Sequence, residues 1–517
     1  MRRGPAHILH SGKRPERPIH AARGPVPREP HTLLMKALRV KRAPRLRLGG
    51  FGKPCRVAAL CYLVATVSDS ATANAQARSE FFHSNQTALS GDSERVTVTD
   101  AGAVWYNPAG LGGNKRSRLD ITGTALSYRK RTLKDGLTVA LPDGQTLDQD
   151  LDASFLGLVA PTVVLARAVT PKLTVAAGIF VTADDRVRLR GQIEPDAATT
   201  FDYTFDTNQL RYHAGLSFGL EISPRWRVGA TIFGVYEEQS NISTTAARLG
   251  EQGSAISGLV SQSVRIDSQQ VGLEVGVGGQ YVANDRWLLG ATLRTPRLNV
   301  AETLEAAAIS ARGGEAAANG QLSYDGEALN RERISLGFVR PASLEFGLTH
   351  RFPHGTLSTS IDVSHAFRND ASGIERRWIA NVGAGGTYAL NDRLTLGGGI
   401  RTHFSDRPRP TDNLQEQVNY VNFSAGISYA TAFFFDSMST DTVGSESEAA
   451  PPPSRQPPEK RPSLIFKSIV ALKYAVGFGQ LATLVTNFDE SRDVAPFAQR
   501  DLLFHDVVLH VGSGFTF

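Results

Sequence analysis

The sequence predicts an all-β protein, a fourteen-stranded antiparallel transmembrane β-barrel, and three observations carry that expectation. Period-2 alternation recurs through the chain after residue 77, short and long connections alternate, and the number of alternating segments is even. A soluble sandwich would also show oily and polar faces on each strand, but it has no reason to alternate its connection lengths. In no part of that region do the ~18 uninterrupted apolar residues of a membrane helix occur.

Charge divides the chain in two. The 517 residues hold 56 Lys+Arg against 50 Asp+Glu, and residues 1–77 account for 15 of the cations and 3 of the acids. The remaining 41 Lys+Arg and 47 Asp+Glu make the body mildly acidic, which excludes an electrostatic case for nucleic acid. Within 1–77 a basic run, Arg39 to Arg56, precedes the apolar core Val57–Ala65, and Ala73-Asn74-Ala75 and Ala75-Gln76-Ala77 both fit an A-x-A cleavage site. That order is the one found in a secretory signal, removed near Ala75 or Ala77. Met35-Lys36 would make a more ordinary start than Met1, so residues 1–34 are read as a mis-assigned translation start. Cys55 and Cys61, the only cysteines, fall in this leader, so the exported chain is expected to lack disulfides and Cys-based metal sites.

Next comes Thr97–Gly113, whose centre Tyr106-Asn107-Pro108-Ala109-Gly110-Leu111 is too turn-rich to be a strand. Pro fixes its own φ and moves the preceding residue out of the helical region, so Asn-Pro begins a turn. The bland reading is an aromatic-flanked turn leading into a β domain; the sharper one is a folded segment, 78–118, that plugs a barrel.

The barrel proper is read as 119–517. Its strand segments run 119–130, 153–169, 173–190, 209–222, 226–239, 269–282, 287–299, 333–350, 356–367, 377–389, 393–404, 418–431, 463–481 and 503–517. Val271 to Gly278 shows the pattern: Val, Leu, Val and Val on one face, Gly, Glu, Gly and Gly on the other. Tight turns are expected at Thr170-Pro171-Lys172, Ser223-Pro224-Arg225, Ala283 to Arg286, Pro353-His354-Gly355 and Leu390 to Arg393. Long polar links are read at 131–152, 191–207, 241–268, 301–330, 368–375, 405–417 and 483–502. Trp226, Tyr281, Trp287 and Tyr388, beside the turns, suit an interfacial girdle. An even strand count leaves both barrel ends on the periplasmic side. The Pro-rich, low-complexity stretch 437–462 is then a periplasmic insertion.

An export signal, an aromatic followed by Asn107-Pro108-Ala109-Gly110-Leu111, and fourteen strands closing on Phe517 together resemble the FadL family of outer-membrane transporters for long-chain fatty acids and other hydrophobic compounds, including aromatic hydrocarbons. The segment Ala283-Asn284-Asp285-Arg286-Trp287 through Ala291, then Arg294-Thr295-Pro296, is similar to a hairpin of that family. The resemblance implies a bacterial outer-membrane protein with a plugged lumen, loop capture of a hydrophobic solute, passive diffusion, and sideways exit where the third strand kinks. It implies outer-membrane lipid as surroundings and assembly machinery that reads Phe517. Asn107, Pro108, Ala109 and Gly110 would form the plug motif. Gly178 or Asp184-Asp185 are the candidates for the kink, because glycine marks bulges and paired acids disturb edge pairing. The family's usual Pro-Phe-Gly-like end to this strand is absent, and the Pro-rich insertion is atypical.

Apolar residues of the third and fourth long links, Ile256, Leu259, Val260, Leu304, Ala306 to Ile309 and Leu322, are the expected capture surface. Arg294 and Arg401, on polar strand faces, are the candidates to meet a ligand carboxylate; otherwise they pair with Glu274, Glu345 or Asp362. No enzyme is expected. Gly215-Leu216-Ser217-Phe218-Gly219 matches G-x-S-x-G but lies within a strand, without the strand-turn-helix elbow. The histidines lack metal-ligand spacing, and no cofactor or metal is implied. A general porin or purely structural barrel is the alternative function.

Overall fold

The structure, a computed structural model, describes residues 81–140, 145–157, 160–196, 199–249, 258–313, 323–333, 337–369, 374–409, 416–433, 464–487 and 497–517. The leader with its two cleavage candidates, the 437–462 insertion, and Ile256 and Leu322 lie outside the described residues.

Fourteen spans close into one antiparallel barrel. They are β1 (Arg118–Ala140), β2 (Thr146–Gly157, continued by Ala160–Ala168), β3 (Leu173–Asp196), β4 (Thr199–Ser223), β5 (Trp226–Leu249) and β6 (Gly258–Val282). After these come β7 (Trp287–Arg294 with Arg297–Gly313) and β8 (Ser323–Arg333, Gly337–Arg340 and Ser343–Phe352). The remaining spans are β9 (Gly355–Ser364), β10 (Ile379–Ala389), β11 (Leu394–His403), β12 (Glu416–Phe433), β13 (Leu464–Asn487) and β14 (Phe497–Thr516). Each pairs with its sequence neighbour, and β1 closes on β14 from Arg118↔Thr516 to Leu133↔Leu502. Pairing of β1 with β14 joins the first and last strands, so the sheet has no terminal edge strand.

All five expected tight turns join consecutive strands at one end of the barrel. Their side chains explain them. Asn284 and Asn391 each accept two backbone N–H groups of the turn through Oδ1, and Thr170 does so through its hydroxyl. The other end differs from expectation. The links read at 131–152, 191–207, 241–268 and 301–330 are largely strand, because β1 to β7 continue far beyond the segments predicted for them.

The reason is an inversion of polarity along the strands. On β4 the outward residues Tyr212, Ala214, Leu216, Phe218, Leu220 and Ile222 are exposed, while His213, Gly215, Ser217 and Gly219 between them are buried. Further along the same strand Phe201, Tyr203 and Phe205 are buried and the outward positions are Asp202, Thr204 and Asp206. β5 repeats the apolar outward band from Trp226 to Tyr236, and β6 from Val271 to Tyr281. Each band spans eleven residues, the length a tilted strand needs to cross ~30 Å of hydrocarbon (about 9–11 residues). Beyond it the wall is polar outside and oily inside, as suits a barrel rim standing in water.

Residues 81–114 lie against the inward side of the wall in the turn-end half. They comprise a short helix α1 (Asn85–Leu89) and two 3-10 turns, Ala101–Val104 and Pro108–Gly113. Ser84 caps α1, its Oγ accepting from the N–H groups of Gln86 and Thr87, and Asp100 in turn accepts from the Ser84 hydroxyl. Asn107 caps the second 3-10 turn by accepting from Ala109 N–H at 3.1 Å, with Pro108 in the first helical position where a missing N–H costs nothing. The same side chain donates to Val96 O at 2.6 Å and to Gly279 O and Ala291 O on β6 and β7. Glycine is required on both sides of this contact. A Cβ at Gly110 would overlap Val98 O, and one at Gly278 would overlap Asn107 Oδ1.

Candidate ligand-binding interior

The interior has two levels. In the turn-end half buried ion pairs stand beside a packed apolar cluster that includes Trp105, Phe180 and Phe233. Arg294 on β7 donates to Glu274 of β6 at 2.9 Å and to Trp105 O of the N-terminal segment, with its guanidinium 4.4 Å from the Trp105 ring centroid. Arg401 on β11 is fully buried. It pairs with Asp362 and with Glu345 at 3.4 Å, and donates to Ser360 Oγ at 2.8 Å. Both arginines therefore hold the three acids that the sequence reading offers as their alternative partners. Arg95 of the segment joins the same group, 3.4 Å from Glu345. Burial, then the charges of Arg95 and Arg294, hold the His83 imidazole well below its ordinary pKa, and its Nδ1 lies 3.2 Å from the Thr162 hydroxyl.

Between the levels, β3 changes phase. Thr174, Ala176, Gly178 and Phe180 face inward, and after a register shift between Val181 and Ala183 the inward set becomes Asp185, Val187 and Leu189. Thr182 is the additional residue of a β-bulge, and its hydroxyl lies 3.0 Å from His213 Nδ1. The two sequence candidates for the irregularity, Gly178 and Asp184-Asp185, flank the bulge on either side. At this level the described β2–β3 ladder ends, running from Thr162↔Phe180 to Ala168↔Thr174. Beyond it β2 pairs with β1 and β3 with β4. Contact between β2 and β3 there passes through side chains: Gln149 Oε1 accepts from Gln192 N–H at 2.9 Å. Arg129 and Arg131 of β1 reach behind β2 to Asp185. Arg131 binds it through two nitrogens at 3.2 and 2.7 Å, and Arg129 adds a bond at 3.0 Å and another to Asp184 O at 2.8 Å.

The upper level is apolar. Leu133, Leu151, Leu189, Phe205, Ile266 and Leu304 belong to one buried cluster with Val418, Leu481, Leu502 and Phe504. Leu304, Ala306 and Ala308, expected on a surface loop, face inward on β7 as part of it, whereas Ile309 is exposed. A cavity opens beside this cluster, with one apolar wall of Val187, Leu189, Phe205, Val418, Leu481, Leu502 and Phe504; the rest of its lining includes the polar side chains of Arg129, Arg131, Asp185, Arg340, His403, Asp406, Arg407, Glu416, Lys473 and Asp506. Arg340 on β8 also borders the polar space above Trp105. It is 8% exposed, and its Nε and Nη2 have no hydrogen-bond partner among the described residues. Sequence reasoning missed it because Arg340 precedes Pro341 at a strand break, off the regular alternation. The inward parity of Phe201, Tyr203 and Phe205 could have located the apolar level.

Among the described residues no group of three or more His, Cys, Asp or Glu side chains could hold a metal ion. Ser217, at the centre of the G-x-S-x-G match, lies within β4, donates to Ala230 O at 3.1 Å and accepts from the Thr231 hydroxyl at 2.8 Å. No helix among the described residues is long and apolar enough to cross a membrane, which says nothing against strands doing so.

A solved structure titled as a Pseudomonas aeruginosa FadL homologue superposes on this chain with a TM-score of 0.51, at 13% identity, over 85% of this chain and 99% of its own. Its fold is that of the FadL-type barrels. A TodX mutant described as a monoaromatic hydrocarbon channel gives a TM-score of 0.50 at 14% identity, over 84% of this chain and 98% of its own. No family model matches the sequence, and no curated protein does.

Proposed function

We propose that the protein carries hydrophobic compounds passively across the bacterial outer membrane, long-chain fatty acids foremost. One observation supports the reading: a cavity with an apolar wall lies high in the barrel, and the buried residues 81–114 pack against the inner wall beneath it. Moving an apolar solute through a water-filled pore forgoes its transfer out of water, so an oily site with a stopper beneath suits such a solute better than an open channel. In this reading 78–118 is the plug, with Asn107, Pro108, Ala109 and Gly110 as its fixed turn. The solute leaves sideways at the Thr182 bulge, flanked by Gly178 and Asp184-Asp185. The chain is exported with its leader removed near Ala75 or Ala77 and assembled through Phe517. No catalytic step is involved.

The TodX mutant's title names a monoaromatic hydrocarbon channel, which makes an aromatic hydrocarbon the competing solute. Arg340 favours the fatty acid. A buried guanidinium with open donors beside the apolar wall of the cavity is a place for a carboxylate head. Arg294 and Arg401, already holding acids of their own wall, would reach a ligand only by releasing them.

Uptake of labelled oleate and labelled toluene by cells carrying the protein tests this directly. Oleate uptake above that of cells without the protein, reduced in Arg340→Gln while toluene is unaffected, is the expected result. Large stable single-channel openings in planar bilayers, with neither solute accumulated, would refute it in favour of a general porin.

A further inference from the structure

The five tight turns share a feature that neither the fold nor transport requires. Each ends in a basic residue immediately before its strand begins: Lys172, Arg225, Arg286, His354 and Arg393. All five occupy one structural position. The backbone carbonyl of each accepts a hydrogen bond from the neighbouring strand pair: from Glu221, Val282, Arg351, Ala389 and Ala430 N–H respectively, at 2.6 to 2.8 Å. The backbone is thus pinned while the side chain stands exposed. A basic side chain recurs in each of the five described hairpins at this end, and Lys115 and Arg351 add to the same rim. The only exposed acids in these turns are Asp285 and Asp392, which do not balance six exposed Lys and Arg.

Depth decides what such a ring would meet. The next residue inward is Trp in two of the turns. Trp226 packs on Tyr281 with centroids 4.6 Å apart, Trp287 on His350 at 4.4 Å, and His354 lies 6.2 Å from Tyr388. Amphipathic aromatics settle where hydrocarbon gives way to head groups. A cation one residue beyond them lies at phosphate level, and its methylene stem can lie along the apolar band while its charge reaches outward. A partner protein would be met farther out from the wall, and has no use for an aromatic belt directly behind the charges.

We propose that Lys172, Arg225, Arg286, His354 and Arg393 form a ring of binding positions for the phosphate head groups of anionic glycerophospholipids in the leaflet facing the turn end. This rests on the membrane reading of the barrel, and the test separates the two. The full chain is folded into vesicles of neutral phosphatidylcholine alone and into vesicles with added phosphatidylglycerol, then extracted gently. Lipid retained per barrel is read by native mass spectrometry. The same is done for a variant carrying Lys172→Gln, Arg225→Gln, Arg286→Gln and Arg393→Gln, whose changes are confined to exposed turn side chains.

The wild type should retain phosphatidylglycerol over phosphatidylcholine. That preference should fall roughly twofold or more in the variant, and likewise in the wild type at high salt, since surface charge attraction is screened within a Debye length. Equal retention of phosphatidylglycerol by variant and wild type would overturn the proposal, as would wild-type protein with no lipid preference. Displacement of the lipid by inorganic phosphate at millimolar concentration would reduce the ring to a free-anion site and overturn it too. Binding of polyglutamate by the wild type but not the variant, without any lipid preference, would assign the ring to an acidic polypeptide instead. Failure to fold even into neutral vesicles would count against the membrane reading itself, whereas folding there with no preference for the anionic lipid would count against the ring alone.

Discussion

Replacing Leu216 by Arg tests the membrane reading at its most exposed point. Leu216 projects outward from β4 and is 71% exposed, the highest value among the large hydrophobic side chains of the wall. It stands within the apolar band Tyr212–Ile222. At ~3.3 Å per residue and a tilt of about 40°, ten steps along β4 cover roughly 25 Å of depth, the height of the outward apolar band in outer-membrane barrels. Leu216 lies four residues from one end of that band and six from the other, close to its midplane. An arginine there should cost ~2–4 kcal/mol, falling to about 0–1 near either interface. The matched control is Thr204→Arg on the same outward face but beyond the band, where Asp202 and Asp206 flank it.

The assay is the folding equilibrium of the barrel in lipid vesicles against urea, read from the mobility difference between folded and unfolded protein on unheated gels. Leu216→Arg should lower the folding free energy by several times the effect of Thr204→Arg. In a water-soluble sandwich an exposed leucine could become arginine within about ±0.5 kcal/mol. Equal effects of the two substitutions, or a neutral Leu216→Arg, would refute the argument that this face meets lipid.

Other consequences follow from the interior. Asn107→Ala removes a helix cap and a buried amide that ties the N-terminal segment to β6 and β7. It should loosen that segment by ~1–3 kcal/mol, seen as proteolysis near residue 107 while the barrel stays folded. Gly278→Ala should mimic it through steric overlap with the Asn107 side chain, and Gly276→Ala on the same strand, where a Cβ meets nothing within 4 Å, should not. Asp185→Asn weakens the anchor of two buried arginines. Because Arg129 also lies 3.6 Å from Asp506 and Arg131 3.8 Å from Glu416, the loss should fall at or below the low end of the ~3–5 kcal/mol typical of breaking a buried pair. Urea midpoints measure it. Since the folded His83 lies below its ordinary pKa, the unfolded state binds the proton more readily. Its contribution is complete above pH ~6.5 and declines as pH falls, by up to about 1.4 kcal/mol per unit. Trp105 fluorescence, reporting on a ring 4.8 Å from His83, should show loosening at pH 5 that is reduced in His83→Gln.

Strand number, turn positions and the N-terminal turn were legible because each depends on local chemistry. Two-residue alternation reports a face, Pro and Asn report a turn, and Asn107-Pro108 reports a cap followed by a first helical position. The rim was misread because polarity was used as a proxy for loop. Residues 199–207 look polar, yet Phe201, Tyr203 and Phe205 keep strict alternation with Asp202, Thr204 and Asp206. A strand rising out of hydrocarbon exchanges its faces without ending. The bulge at Thr182 was harder to read, since one additional residue leaves composition unchanged and shows only as a change of inward parity, from Ala176 and Phe180 to Val187 and Leu189. Arg340 was not legible at all, because an arginine's partners depend on which distant strands close around it.

These features bear on one another at a single level of the barrel. Below the Thr182 bulge, an apolar solute would have to displace Trp105, Phe180 and Phe233 from one another and part Arg294 from Glu274 and Arg401 from Asp362. Separating buried charges from their partners costs several kcal/mol each, more than the ~0.8 kcal/mol per methylene that holds the solute in an oily site would return for a short advance. Above the bulge one wall of the cavity is apolar, built from Val187, Leu189, Phe205, Leu481, Leu502 and Phe504. Beside it, the β2–β3 wall is joined through side chains such as Gln149 rather than by a continuing ladder. The proposed sideways route therefore coincides with the place where the described β2–β3 ladder ends, and where Arg129, Arg131 and Asp185 brace the wall from within. If that brace sets how readily the wall parts, Asp185→Asn should speed solute passage while lowering stability. A plug-release route predicts that Asn107→Ala is the faster of the two.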